Sequence, residues 1–206
     1  GNLLRDDLQA DARELAANGF AALWHARRPT RAELLPGRAE PVAEVLSELA
    51  RRGRAELDTE GHLTGMHGLT ERVTRHQFTH ADRDHHTWCA FDCVGIPAAL
   101  SVDATATTEC PTCGHRLSVD FQRGAAVDEA VALWLPTPER TSDLMKDFCA
   151  SADLYCSTRH LRQRVDVDGS RGRVICLREA LDLGRETWSD VAHVATDEPT
   201  APVGHG

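Results

Sequence analysis

Hydrophobic positions recur with helical period over the first stretch of the chain. Between Asp6 and His25, Leu8, Ala12, Leu15, Ala16, Phe20, Leu23 and Trp24 follow one another at steps that keep them on one face, interrupted only by Asn18-Gly19. One or two helices are expected there. Arg31–Leu35 reads as a short helix, with Thr30 placed to cap it and Pro36-Gly37 to end it. A longer helix, Pro41–Arg52, gathers Val42, Val45, Leu46 and Leu49 on one face and stops at Gly53. Next come two short strands, Ala55–Leu57 and His62–Met66, joined by the turn Asp58-Thr-Glu-Gly61. Short helix, turn, longer helix and hairpin is the order of a winged helix-turn-helix.

Val73 and Phe78, among polar neighbours in Leu69–Asp84, predict a strand or two leading into a second part. From His85 onward Leu117–Phe121, Ala130–Leu135 and Arg173–Leu177 are expected as strands. Ser142–Cys149, Thr158–Val165 and Leu177–Val191 are expected as helices, and the turn-rich tail from Thr196 as loose chain. The fold class is therefore α+β. A winged-helix-like N-terminal domain spans residues 1–80, and a catalytic core with a mixed or antiparallel sheet and flanking helices spans residues 81–206.

Charge narrows the function classes. A formal net charge of −9 argues against a nucleic-acid partner, since phosphate binding calls for a basic face. The Pro41–Arg52 helix carries Arg51 and Arg52 only at its end, a poor major-groove reader, so an interaction or lid role suits the N-terminal module better. No apolar run is long enough to cross a bilayer, and the N-terminal stretch has acids where a secretory signal needs an apolar core. A cytoplasmic protein without a membrane partner is expected. Seven cysteines, an odd number, point to chemistry or metal binding rather than to a closed disulfide framework.

Three segments carry that chemistry. In Trp88-Cys-Ala-Phe-Asp-Cys93, a helix starting here would set Cys89 and Asp92 on one face. A thiol at a helix N-terminus and a carboxyl in apolar surroundings would then address the same small ligand, one as a soft nucleophile and the other as a general acid. Taken alone, Cys-x-x-Asp more often marks an inert buried thiol and a cap. Asp147-Phe-Cys149 closes a helix, with Cys156 seven residues on. Glu109-Cys-Pro-Thr-Cys-Gly-His115 has the form of a zinc knuckle, and Cys110 with Cys113 supplies half of a four-ligand site. Cys93, His115, Cys149 or Cys156 would have to complete it through tertiary proximity. His76, His80, His85 and His86 cluster in sequence, in and beside the polar run QFTHADRDHH. His76 and His80 would pair on a helix, but a solvated loop or strand edge suits the run better.

In their order along the chain, Trp88-Cys-Ala-Phe-Asp92 with the apolar Ile96-Pro-Ala, Cys110, Phe148-Cys149 and Glu179-Ala-Leu-Asp-Leu-Gly184 resemble the organomercurial (alkylmercury) lyases. The resemblance spans nearly the whole chain. It implies protonolysis of a carbon–mercury bond to give a hydrocarbon and Hg(II). Cys89 and Cys149 would be the thiols that bind mercury, Asp92 would join them and shuttle the proton, and Cys110 would be structural. It further implies an organomercury small molecule as substrate, no required cofactor, Hg(II) as bound product, soluble thiols that strip it, and transfer to a mercuric reductase. Mercury's softness agrees with a thiolate pair. The chain departs from the family pattern after Cys149, where Ala-Ser-Ala-Asp-Leu-Tyr stands in place of a paired aromatic, and Asp153 is expected to alter the apolar pocket. Cys93 and Cys113 are additional thiols. Two other readings stand beside the lyase: a zinc-binding winged-helix regulator or sensor built on Cys110 and Cys113, and a lyase-fold enzyme with a non-mercury substrate.

Overall fold

A computed structural model describes residues 8–127, 131–138, 141–168 and 171–196. The expected helix start at Asp6, the strand start at Ala130 and the tail beyond Thr196 lie outside these residues.

The first helix, α1 (Ala10–Trp24), is one continuous helix through Asn18-Gly19. Glycine is accommodated at 19 because a Cβ there would come within 2.7 Å of the Leu63 side chain. α2 (Arg31–Leu34) is capped as expected: Thr30 Oγ1 accepts the Glu33 N–H at 3.3 Å, and the Glu33 carboxylate accepts the Thr30 N–H at 2.7 Å. Then come α3 (Val42–Arg51) and the strands β1 (Ala55–Leu57), β2 (Leu63–Met66), β3 (Leu69–Thr70), β4 (Gln77–His80) and β5 (Arg83–Thr87). After α4 (Ala90–Leu100) follow β6 (Ala104–Glu109), β7 (Arg116–Gln122), β8 (Ala125–Ala126) and β9 (Ala132–Pro136). The chain continues through α5 (Leu144–Asp147), a 3-10 turn at Cys149–Ser151, β10 (Asp153–Tyr155), α6 (Thr158–Asp168), β11 (Gly172–Cys176), α7 (Leu177–Thr187) and α8 (Ser189–Thr196).

The fold is α+β. Its large sheet has the order β1-β2-β3-β5-β4-β6-β7-β8 and its small one the order β10-β9-β11. Every described ladder is antiparallel, which resolves the mixed-or-antiparallel expectation. At the centre lies α4, in which every residue except Ala99 is buried. Its sequence, AFDCVGIPAAL, has no polar face to offer water, so the helix must be covered on all sides. α7 covers one side at backbone contact: a Cβ at Gly184 would stand 2.5 Å from the Gly95 Cα. Trp188 closes over Gly95, and its indole N–H donates to the His67 carbonyl at 2.8 Å.

Four expectations are corrected. Leu177–Val191 is two helices, broken where Trp188 turns into the core. Ser142–Cys149 is a four-residue helix that ends at Phe148, whose ring packs edge-on to Phe91 with centroids 6.0 Å apart and draws the backbone out of helical register. β6 and β10 were not anticipated; β6 is built of Ala and Thr, which mark its buried and half-buried positions only weakly. The histidines are neither a helical pair nor a solvated run. His76 is buried with Nδ1 2.7 Å from Thr108 Oγ1, and His85 is buried in a stack on Trp24 and Phe78. Burial first, then the neighbouring Arg75 and Arg83 respectively, lowers their pKa to about 3 and about 4.

The Gly95–Gly184 approach leaves no room for a methyl group. Gly184→Ala should destabilise the protein by roughly 1–3 kcal/mol, read as a lower urea midpoint with an unchanged slope. An unaltered midpoint would mean that α4 and α7 separate without cost.

Candidate functional site

The N-terminus of α4 is where buried helix meets buried polar atoms. Cys89 is its cap residue, extended at φ −149° and ψ 175°, and its backbone N–H donates to Asp92 Oδ2 at 3.0 Å. Asp92 thereby reaches back over the first turn in the manner of a capping box. Two neighbouring bonds hold this turn in place. Trp88 N–H donates to the Gly68 carbonyl at 2.9 Å, and Ala90 N–H donates to the Ala152 carbonyl at 3.1 Å. The second bond ties the helix to the segment that carries Cys149. As a result Cys89 Sγ, an Asp92 oxygen and Cys149 Sγ lie within 4.8 Å of one another, all three residues buried.

Gly68, between β2 and β3, makes this possible from the other side. It sits at φ +93°, and a Cβ on it would come within 2.7 Å of the Asp92 carboxyl carbon. Only glycine satisfies both the left-handed backbone and the contact.

A cavity of about 460 Å³ opens onto the cluster. Trp88, Phe91, Leu135, Leu144, Phe148 and Leu183 supply its apolar walls, and Arg173 and Glu186 its polar part. Asp92 and Cys149 line it, whereas Cys89 lies behind them with no exposed surface. Trp88 is held by its indole N–H, which donates to Glu56 Oε2 at 3.0 Å. Asp153 does not alter this pocket as expected. It is not among the lining residues and instead accepts a hydrogen bond from the Arg75 guanidinium at 2.7 Å.

The electrostatics follow from dehydration. Burial pushes the Asp92 carboxyl up to about 7, although the thiol and N–H of Cys89 both hydrogen-bond to it and pull the other way. Burial likewise holds the Cys89 thiol well above its ordinary value, helped by Cys149 and by the negative Asp92. At Cys149 the hydrogen bond with Cys89 lowers the pKa, but burial and the charges of Asp92, Asp143 and Glu56 together leave it raised. Without a cationic partner the thiols thus keep their protons near neutrality, and the carboxyl is poised between its two forms. A soft cation entering the cluster reverses this preference, since it bonds to thiolates and expels their protons.

The other cysteines divide clearly. Cys110 and Cys113 stand apart from the cavity, in a second group with Cys156 and His160. Cys93 belongs to neither group: buried in α4, it donates to the Gln77 carbonyl at 3.0 Å, and burial pushes its thiol up to about 12. Sequence reasoning missed Gly68, His67 and Trp188: Gly68 and His67 act through backbone, and the Trp188 indole bears on the site only through the His67 carbonyl. It also missed His160, although Cys156-x-x-x-His160 has the i, i+4 spacing of paired helical ligands.

Residues 69–189 match the family model described as alkylmercury lyase, a span that contains both cysteine clusters and Gly184. Two curated relatives bear that same name. One, from Streptomyces lividans, is 29% identical over 153 residues, covering 69% of this chain and 71% of its own. The other, from Pseudomonas putida, is 30% identical over 105 residues, covering 50% of this chain and 49% of its own. A solved structure titled as the mercury-bound form of MerB2 superposes with a TM-score of 0.83 over 92% of this chain and 95% of that one. At 19% identity, that match demonstrates a common α+β fold with a large antiparallel sheet.

The raised carboxyl has a stability signature. The folded state binds the Asp92 proton more tightly than the unfolded state, so its stabilising effect is complete below about pH 4 and is lost as pH rises through about 7. Relative to Asp92→Asn, the wild type should lose roughly 4 kcal/mol across that window. Parallel stability–pH curves for the two proteins would show that Asp92 titrates normally.

Proposed function

The chain belongs to the alkylmercury lyase family, and on that premise we propose that it cleaves the carbon–mercury bond of small organomercury compounds by protonolysis at Cys89, Asp92 and Cys149. The observation that carries this reading is the meeting of two thiols and one carboxyl, within 4.8 Å, at the inner end of an apolar cavity. The cavity walls suit the organic group, and the cluster suits the metal.

Cys149 lines the cavity and Cys89 does not, so the incoming organomercury cation meets Cys149 first and displaces its thiol proton to solvent. Cys89 then bonds to mercury from behind. Its proton passes to the Asp92 carboxylate, which accepts hydrogen bonds from that residue's thiol and N–H. With two thiolates bound, electron density on mercury rises and the carbon–mercury bond weakens. The bond's electron pair stays with carbon, which takes the proton from Asp92 and leaves as hydrocarbon. Of the two thiol protons one ends on carbon and one in solvent, and Hg(II) remains between the two sulfurs. Asp92, poised near neutrality, can both accept and deliver a proton without a large penalty.

Soluble thiols entering past Cys149 strip the product ion, and a mercuric reductase receives it. No cofactor takes part in these steps. The reading places the protein in the cytoplasm, where the reducing environment suits seven free cysteines; none of the described helices is long and apolar enough to cross a membrane. Residues 1–80 are read as a winged-helix-like unit acting as a cover, supported by α1–α3 followed by the β1–β2 hairpin. Gly68 would be its contribution to the site. Residues 81–206 would be the catalytic unit, sharing the large sheet with it through the β4–β5 hairpin.

Phenylmercuric acetate with excess thiol tests the reading through benzene release. Wild type should turn over. Asp92→Ala should lose about 10²–10⁴-fold in turnover, the contribution of a general acid, yet still bind one mercury tightly. Cys89→Ser and Cys149→Ser should lose turnover as well. Stoichiometric binding without benzene from the wild type would end the lyase reading for this substrate.

A further inference from the structure

The second cysteine cluster lies outside the machinery described above. We propose that Cys110, Cys113, Cys156 and His160 form a tetrahedral site for a structural zinc ion that fastens the large sheet to the segment carrying Cys149. One ligand atom from each residue lies within 4.8 Å of all the others. Cys113 and Cys156 sulfurs are 3.7 Å apart, and His160 Nδ1 is 3.1 Å from Cys156 Sγ and 3.9 Å from Cys110 Sγ. A tetrahedron with zinc's usual bond lengths calls for about 3.8 Å between sulfurs and about 3.6 Å from sulfur to nitrogen. The sulfur–sulfur separation agrees with the first value and the two sulfur–nitrogen separations fall on either side of the second, so an ion is accommodated by small side-chain shifts.

The local structure is built for thiolates. Residues 110–115 link β6 to β7 in a tight turn: Gly114 N–H donates to the Cys110 carbonyl at 2.8 Å, Cys110 N–H to the His115 carbonyl at 2.9 Å, and Gly114 takes φ +70°. N–H groups of Cys156, Thr112 and Cys113 and the His160 ring are directed at the Cys110 sulfur. Backbone amides aimed at a sulfur stabilise the form that binds a metal. Thr112 Oγ1 donates to the His160 carbonyl at 2.9 Å and anchors the first turn of α6. Three thiolates with one imidazole suit a d¹⁰ ion of zinc's softness. The site is closed, with four protein ligands, which is the structural rather than the catalytic form. Its placement gives the ion a task. Cys156 follows β10 directly and stands seven residues after Cys149, so the ion would hold that strand and its preceding turn against the tip of β6–β7.

The site does not depend on the lyase reading, and its test does not use turnover. Protein purified under reducing conditions without chelator should contain roughly one zinc per chain by mass spectrometry. Cobalt(II) added to reduced apoprotein should give the intense visible bands of tetrahedral, sulfur-rich cobalt. Cys113→Ser and His160→Ala should lose the metal, while Cys176→Ser, an exposed thiol outside the cluster, should keep it. Removing zinc should lower the melting temperature of the wild type but not of the two ligand variants. Three results would each overturn the proposal: no metal taken up by reduced wild-type protein, metal retained in both ligand variants, or a Cys113–Cys156 disulfide in place of the ion.

Discussion

Complete burial of α4 is the constraint on which the rest of this structure depends. A helix without a polar face must be enclosed, and here the large sheet, α7, α8 and β10 do so. Enclosing it also buries its N-terminus, where backbone N–H groups and the side chains of Cys89 and Asp92 would ordinarily meet water. The first turn answers internally, with Asp92 accepting the Cys89 N–H and Ala152 accepting the N–H of Ala90. Asp92, which satisfies the helix end, is also a member of the buried cluster with Cys89 and Cys149. Packing and chemistry are therefore two consequences of one burial.

Dehydration then sets the protonation states. A helix N-terminus by itself favours negative charge on a thiol or carboxyl. Here burial outweighs it: Cys89 and Cys149 stay protonated, and Asp92 is lifted to about 7. Such a site resists ionising until a cation arrives, and mercury is a cation that thiolates prefer above nitrogen or oxygen donors. Cys110 shows the opposite balance. Near the surface, with several N–H groups directed at one sulfur, its thiol is already lowered before any ion binds. Within the same cluster Cys156 is pushed the other way, up to about 11, by burial and by its hydrogen bonds with Cys113 and Cys110.

Glycines make the close approaches that both features need. Gly95 and Gly184 bring α4 and α7 together at the backbone, Trp188 fills the space beyond, and its indole fixes the His67 carbonyl. The turn at His67-Gly68 is thereby pressed onto Asp92. A motif ending at Gly184 thus bears on the Cys89–Asp92–Cys149 cluster without contributing an atom to it.

Most helices and the larger strands were legible in the sequence, because local periodicity and caps decide them: α1 from its apolar face, α2 from Thr30, α4 from the apolar run after Trp88. The pairing of Cys89 with Asp92 was legible too, as helical geometry alone sets residues three apart on one face. Cys149 was joined to them only by resemblance to a family, since nothing local directs a cysteine sixty residues away to the same point. Tertiary structure alone decided the breaks at Phe148 and Trp188, where an aromatic side chain's place in the core overrides helical propensity, and the burial of His76 and His85 within a run that reads as polar. It also brought Cys156 and His160 to the knuckle at Cys110 and Cys113. Sequence determines what each short segment can become, because backbone hydrogen bonds and side-chain periodicity act over a few residues. Which distant segments share a site is decided by the packing of sheets and helices around a buried core, an interaction that leaves no mark at any single position.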